Sequence, residues 1–221
     1  MLAIGDIHGC WAEFEEMLQK LQPSDDDLVL LLGDLVNRGP DSHKVVQRAR
    51  EIGAHALLGN HEWRLLCYRR LGDPAPLKPF DLTTLRGLDE EDWAYIEKMT
   101  LTCHLPAHDT VFVHGGFLPN RPWQEQTVSV VTEIQVVDAH GEARRRGENP
   151  QSPHWSDLWT GPPFVVYGHT PRREIKRTPM TLGIDTACVH GGKLTAYILP
   201  DRELVQVPAR RAYEPKRFPT P

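Results

Sequence analysis

The sequence predicts an α/β protein built on parallel strands. Short apolar runs alternate with amphipathic segments through the amino-terminal half, and each run ends on a glycine beside a polar residue. That strand–helix–strand–helix rhythm implies parallel strands joined by right-handed crossovers. LAIGD (residues 2–6) reads as a buried strand, and WAEFEEMLQKL (11–21) as a helix with Trp11, Phe14, Leu18 and Leu21 on one face. LVLLLGD (28–34) is the second strand. DSHKVVQRARE (41–51) opens on the capping residues Asp41 and Ser42 and reads as a helix. AHALLGN (54–60) is the third strand and runs into a further helix, HEWRLLCYRRL (61–71).

Residues 72–87, rich in Pro and Gly, read as a surface connection, and LDEEDWAYIEKM (88–99) as a helix with Asp89 at its N-cap. DTVFVHGG (109–116) is a strand ending on His114. Residues 128–137 are β-branched enough for a strand, yet their spacing also permits a helix. RRRGENPQSP (144–153) reads as a mobile loop. FVVYGH, LGID, KLTAYIL and ELVQVP read as further strands, the last two forming a hairpin across PDR. These elements are expected to make one domain over residues 1–210, with 117–163 as an insertion facing the substrate. Residues 211–221 are expected to be a solvated tail.

Composition narrows the class. The 221 residues suffice for one substantial domain, and 40% hydrophobic with 25% charged residues is ordinary for a soluble globular protein. A net charge of −5 argues against stable nucleic-acid binding or a membrane-surface role, so a phosphorylated ligand needs local positive charge. The four cysteines are scattered, which suits reduced thiols in a cytoplasmic protein, although the even count permits bridging. The first strand-like run begins at the first residue, leaving no room for a leader, and no apolar stretch reaches the roughly 20 residues of a membrane span.

Chemistry gathers at the strand ends. Asp6 and His8 follow the first strand, Asp34 the second, and Asn60 and His61 the third, while His114 and His169 end two later ones. In open α/β sheets the crevice beyond the carboxyl ends of the strands is where ligands bind. Carboxylate, imidazole and amide oxygen together suit manganese, iron, zinc or cobalt. Six candidate ligands, with a central Asp34 able to bridge, fit two divalent ions roughly 3.5–4 Å apart. Such a pair polarises a phosphoryl group and lowers the pKa of a bridging water, whose hydroxide attacks phosphorus. Arg38 can grip phosphate oxygens in a bidentate way.

GDIHG (5–9), GDLVNRG (33–39), GNHE (59–62), HGG (114–116) and GHT (168–170) resemble, in order and spacing, the calcineurin-like metallophosphoesterases of the phosphoprotein phosphatase superfamily. The resemblance implies a four-layered α/β/β/α sandwich, with two mixed sheets flanked by helices. It also implies that Asp6, His8 and Asp34 hold one metal, and Asp34, Asn60, His114 and His169 the other. Arg38 and Asn60 would contact the phosphoryl group, and His61 would be the general acid for the leaving oxygen. Because Pro171 follows GHT, the chain is similar to the protein phosphatase branch.

Asn37 stands where the Ser/Thr protein phosphatases carry an Asp that favours a protonated histidine. A neutral amide orients His61 without supplying charge. The symmetrical diadenosine tetraphosphate hydrolases also lack that Asp, and their nucleotide phosphate leaves easily. GPPFVVYGHTP (161–171) and LGIDTACVHGGKLTAY (182–197) resemble the same group. The leading expectation is therefore a two-metal phosphohydrolase, with manganese favoured, acting on dinucleoside polyphosphates or other small phosphate compounds. A bacterial-type Ser/Thr protein phosphatase acting on phosphoproteins is the alternative, and a non-catalytic metal-binding scaffold comes third.

The remaining histidines (43, 55, 104, 108, 140 and 154) read as surface or structural. His190 is a weaker candidate for lining the site. Arg144, Arg145 and Arg146 read as a solvated charge run before a polyphosphate contact. Trp155 and Trp159 read as core before base-stacking platforms, and Cys188 as packed.

Overall fold

In the computed structural model, which describes residues 1–72 and 77–216, the amino-terminal rhythm becomes three parallel strands. They are Leu2–Ile4 (β1), Val29–Leu31 (β2) and His55–Ala56 (β3). Trp11–Leu21 (α1) and Ser42–Glu51 (α2) connect them, and Asn60–Leu71 (α3) follows β3. Backbone pairing runs on past these bounds, with Leu32 N donating to Ile4 O at 2.9 Å and Leu57 N to Leu31 O at 2.8 Å, so the chain is held up to the polar residues that follow. Pro79–Gly87 (α4) and Glu90–Ile96 (α5) come next, then the strands Thr102–Leu105 (β4) and Thr110–Val113 (β5). Val128–Glu133 (α6), Val136–Val137 (β6), Ala143–Arg144 (β7) and Trp155–Leu158 (α7) precede Phe164–Tyr167 (β8). Lys176–Arg177 (β9), Thr181–Gly183 (β10), Lys193–Ile198 (β11) and Glu203–Pro208 (β12) complete the order.

Two five-stranded mixed sheets result, ordered β12-β11-β1-β2-β3 and β4-β5-β8-β10-β9. Strand alternation assigns their faces. Ala3, Leu30, Phe112, Val166, Leu182 and Tyr197 meet in one buried cluster between the sheets. Their strand neighbours Leu2, Ile4, Val29 and Leu31 turn the other way, onto Phe14 and Met17 of α1 and Val45 of α2. Val111, Val113, Val165 and Tyr167 likewise pack on Val130, Val131 and Trp155. The layers are therefore helix, sheet, sheet, helix. The carboxyl-terminal hairpin forms as expected, with β11 antiparallel to both β12 and β1.

Three expectations need correction, and the reading left open at 128–137 is resolved. Residues 72–87 are not all surface connection, since 79–87 form α4; 73–76 lie outside the described residues. Pro79 at the first helical turn and Asp81, whose Oδ2 accepts the Lys78 amide at 2.7 Å, are start signals that the Pro/Gly content masked. Residues 128–137 are helix and then strand, divided where Ile134 takes an extended ψ of 133°. The segment 144–153 begins in β7 and continues as turns closed by backbone bonds, Glu148 N to Arg145 O at 3.1 Å among them. Residues 211–216 are no free tail: the Tyr213 and Glu214 amides donate to Val189 O at 2.9 and 3.0 Å, and 217–221 lie outside the described residues. Strand β4, at an edge and cut short by Pro106, went unread.

Candidate active site

The strand ends converge. Asp6, His8, Asp34, Asn60, His61 and His114 are buried, and His169 is half-buried. His8, Asp34, Asn37, Arg38 and His169 hold φ values of 49°, 50°, 73°, 67° and 64°. Left-handed backbone at non-glycine residues costs free energy, and such strain clusters at functional sites. Neighbouring glycines make room for the carboxylates. A Cβ at Gly59 would lie 2.3 Å from Asp34 Oδ1, and one at Gly168 would lie 2.2 Å from Asp6 Oδ1.

Asp34 is central. Its Oδ2 lies 3.4 Å from His8 Nε2 and 4.0 Å from His61 Nε2, and its Oδ1 lies 3.4 Å from His114 Nε2. Ligand atoms of His8, Asp34 and His61, and of Asp34, His114 and His169, form two groups, each within 4.8 Å, that share Asp34. Asn60 Oδ1 is 3.3 Å from His114 Nε2. Asp6, expected with His8 and Asp34, falls outside both groups, and His61 stands in its place; the two Asp6 oxygens accept the His169 amide at 3.0 and 3.1 Å.

The donor set fits divalent cations. In His8 and His114 one ring nitrogen, Nδ1, faces a backbone carbonyl (Val36 O at 3.0 Å, Leu32 O at 2.7 Å), and in His169 it is Nε2 that faces Glu133 O at 3.1 Å. A carbonyl only accepts, so that nitrogen carries a proton, and the other is the one that a neutral ring would present to a cation. The electrostatics agree. Burial, then Asp185 and Asp34, raise Asp6 well above the carboxylate range, and burial raises Asp185 to about 6. Burial alone would also raise Asp34, but His114 and His61 hold it well below that range. Burial works against a charged His114, yet Asp34, Asp6 and Glu62 push it up to about 10. This is an excess of buried negative charge.

Several supporting residues escaped the sequence. Glu62, fully buried, accepts four amides: Asp34 N and Gly59 N at Oε2 (3.0 and 3.2 Å), Leu35 N and Val36 N at Oε1 (2.8 and 3.1 Å). It thereby sets the loop that carries Asp34 and Arg38. The E of GNHE was its only signal. Asn37 Nδ2 donates to His61 Nδ1 at 2.9 Å and to Asp81 Oδ1 at 2.7 Å. Asp81 is also gripped by Arg64, Nε to Oδ2 and Nη2 to Oδ1, both at 2.8 Å. Phe80, beside it on α4, stacks on His61 with centroids 5.3 Å apart.

Arg38 reaches the same rim. Its Nη1 lies 3.4 Å from both His8 Nε2 and His190 Nε2, so His190 does line the site. Its Nε lies 3.2 Å from Glu214 Oε2, on the segment expected to be solvated. The other residues stay apart. His55, His104, His108 and His140 are exposed, while His43 pairs with Asp92 at 2.5 Å. His154, Trp155 and Trp159 are buried, as is Cys188. Arg144 pairs with Asp138 at 2.9 Å and Arg145 with Glu133, a surface arrangement.

The model of the calcineurin-like phosphoesterase domain matches residues 1–204. The chain belongs to the calcineurin-like phosphoesterase family. Its relatives include the asymmetrical bis(5'-nucleosyl)-tetraphosphatase PrpE of Oceanobacillus iheyensis, 32% identical over 97% of this chain and 94% of that protein. The Bacillus subtilis protein of the same name is 30% identical over 97% of each. A crystal structure of a protein described as a candidate diadenosine tetraphosphatase superposes with a TM-score of 0.82 at 30% identity, covering 94% of this chain and 92% of that one. As a calcineurin-like phosphoesterase, the chain is a metal-dependent hydrolase of phosphate esters or anhydrides. Among the described residues no helix is long and apolar enough to cross a membrane.

Proposed function

We propose that this phosphoesterase hydrolyses dinucleoside polyphosphates asymmetrically, releasing ATP and AMP from diadenosine tetraphosphate. One observation carries the reading: two ligand groups share Asp34 beside the Arg38 guanidinium, in a chain whose relatives carry that activity in their names along their whole length. The sequence resemblance pointed to the symmetrical hydrolases. The relatives are named for asymmetrical cleavage, and the proposal follows them.

Asp6, His8 and Asp34 would hold one divalent ion and Asp34, Asn60, His114 and His169 a second, with manganese the favoured metal. When bound, such ions polarise the phosphoryl group and lower the pKa of water. Arg38 binds phosphoryl oxygens through its fork. His61 serves the leaving oxygen, and its protonation is fixed by its neighbours. Arg64 Nη2, at 3.3 Å, and the Asn37 amide both donate toward Nδ1, so the ring proton sits on Nε2. Burial, with the nearby His8, Arg38 and Arg64 charges, holds His61 well below the ordinary histidine range despite Asp34. A neutral imidazole is sufficient for a nucleotide phosphate, which departs readily. The four free cysteines suit a cytoplasmic setting.

The test is chromatography of the products from diadenosine tetraphosphate with manganese, beside a phosphoserine peptide at equal concentration. Equal amounts of ATP and AMP, formed far faster than peptide phosphate is released, are expected. ADP alone would overturn the asymmetry, and rapid peptide turnover with intact dinucleotide would overturn the substrate.

A further inference from the structure

Beside Arg38 the surface opens into a cavity of about 310 Å³, lined by Arg38, Pro40 and His43 together with Phe80, Thr84 and Gly87 of α4. We propose that this cavity is the nucleoside subsite, seating base and sugar of a nucleotide whose phosphate lies at Arg38. The assignment rests on the reading of the chain as a nucleotide hydrolase. Arg38 apart, it concerns a part of the molecule that the metal and phosphate residues do not line.

Position comes first. Arg38 belongs both to the cavity wall and to the rim of the site, where its Nη1 is 3.4 Å from His8 Nε2. A phosphate held by that guanidinium therefore has its ester substituent at the mouth of the cavity. Size agrees, because the volume lies at the small end of the range for small-molecule sites. Chemistry agrees as well. Phe80, half-buried and stacked on His61 by one face, offers the rest of its ring, and Arg38, Arg64 and Lys78 stand around it at 5.9, 5.8 and 5.9 Å from its centroid. An aromatic body encircled by cations matches the junction between a base and a polyphosphate. Thr84 and Ser42, their hydroxyls 3.5 Å apart, add hydrogen-bonding groups in the same wall.

Three other cavities among the described residues lack this combination. One of about 290 Å³ borders Glu133 on the His169 side, but its lining has no aromatic ring and contains the Glu133–Arg145 ion pair. Those of about 440 and 590 Å³ touch none of the site residues.

Gly87 provides the test, since a Cβ there meets nothing within 4 Å and its φ is not left-handed. Gly87→Leu therefore adds a side chain at the cavity wall where its Cβ has open space. Thr83→Trp, at an exposed residue of the same wall, is a second and independent obstruction. The readout is inhibition of p-nitrophenyl phosphate hydrolysis by AMP and by inorganic phosphate, as a ratio of inhibition constants within each protein. In the wild type AMP should bind on the order of tenfold more tightly than phosphate, about 1.4 kcal/mol, and both variants should bring the ratio close to one. A wild-type ratio near one, or a ratio retained in both folded variants, overturns the subsite. A high ratio lost in the variants, with diadenosine tetraphosphate left intact, would refute the dinucleotide reading and leave the nucleoside subsite standing.

Discussion

Asn37 binds two neighbours through one nitrogen, and this changes what its replacement should do. From sequence, Asn37→Asp would merely restore charge beside His61. In the fold, the new carboxylate would face Asp81 Oδ1, now 2.7 Å from the amide nitrogen, inside a buried cluster. Two buried carboxylates at that distance cannot both ionise. Asn37→Asp should therefore lose about 3 kcal/mol of stability, the order of an uncompensated buried charge. The swap Asn37→Asp with Asp81→Asn should recover most of it, as read by denaturant melts; equal losses in the single and double variants would refute the contact. The site residues at strand ends were readable because each follows an apolar run and a glycine. Asp81 and Arg64 were not, because Asp81 meets Asn37 across 44 residues only once α4 has packed.

The element that sequence misjudged most is the segment after β12. Glu13, fully buried on α1, accepts the Arg210 amide at 2.8 Å and the Tyr213 hydroxyl at 2.9 Å. These bonds, with the two amides on Val189, deliver Glu214 to Arg38 Nε, on the side away from the Nη edge of the proposed phosphate contact. Glu214→Ala should raise KM for phosphate substrates about threefold, in keeping with a partly exposed pair, and Glu214→Gln should lie between. An unchanged KM would refute the positioning. Elsewhere, α7 carries a pH response. His154 at its N-cap is buried, with Nδ1 2.8 Å from Ser156 Oγ and Nε2 3.4 Å from Thr170 Oγ1. Burial, then Arg172 and Lys176, lower its pKa to about 2. The unfolded chain takes up a proton near 6.5 and the folded chain does not. The stabilisation is thus complete above about pH 6.5 and falls by up to ~1.4 kcal/mol per pH unit on acidification below it. His154→Asn should lessen that slope between pH 6.5 and 5 in urea melts, with His8, His61 and His169 still contributing; an identical slope would contradict the burial argument.

At the scale of the whole molecule, two sheets back to back bring five strand ends to one rim, although the residues they carry span 6 to 169 in sequence. The parallel core was legible because alternating apolar runs and amphipathic helices have distinct periods. The short edge strands β4, β7 and β9 were not, since two to four residues carry no periodicity. In a chain of net charge −5 the proposed polyphosphate would rely on local cations, Arg38 and Lys78 each 5.9 Å from the Phe80 centroid, since Arg64 beside them is taken up by Asp81. What unites the layers chemically is Asp34, shared by both ligand groups. Metal content per chain, measured by mass spectrometry beside the hydrolysis rate for wild type and Asp34→Asn, tests that claim directly. About two divalent ions and full activity are expected for the wild type, with most of the metal and all measurable hydrolysis lost in the variant. Retention of both ions and a near-normal rate in Asp34→Asn would contradict the account.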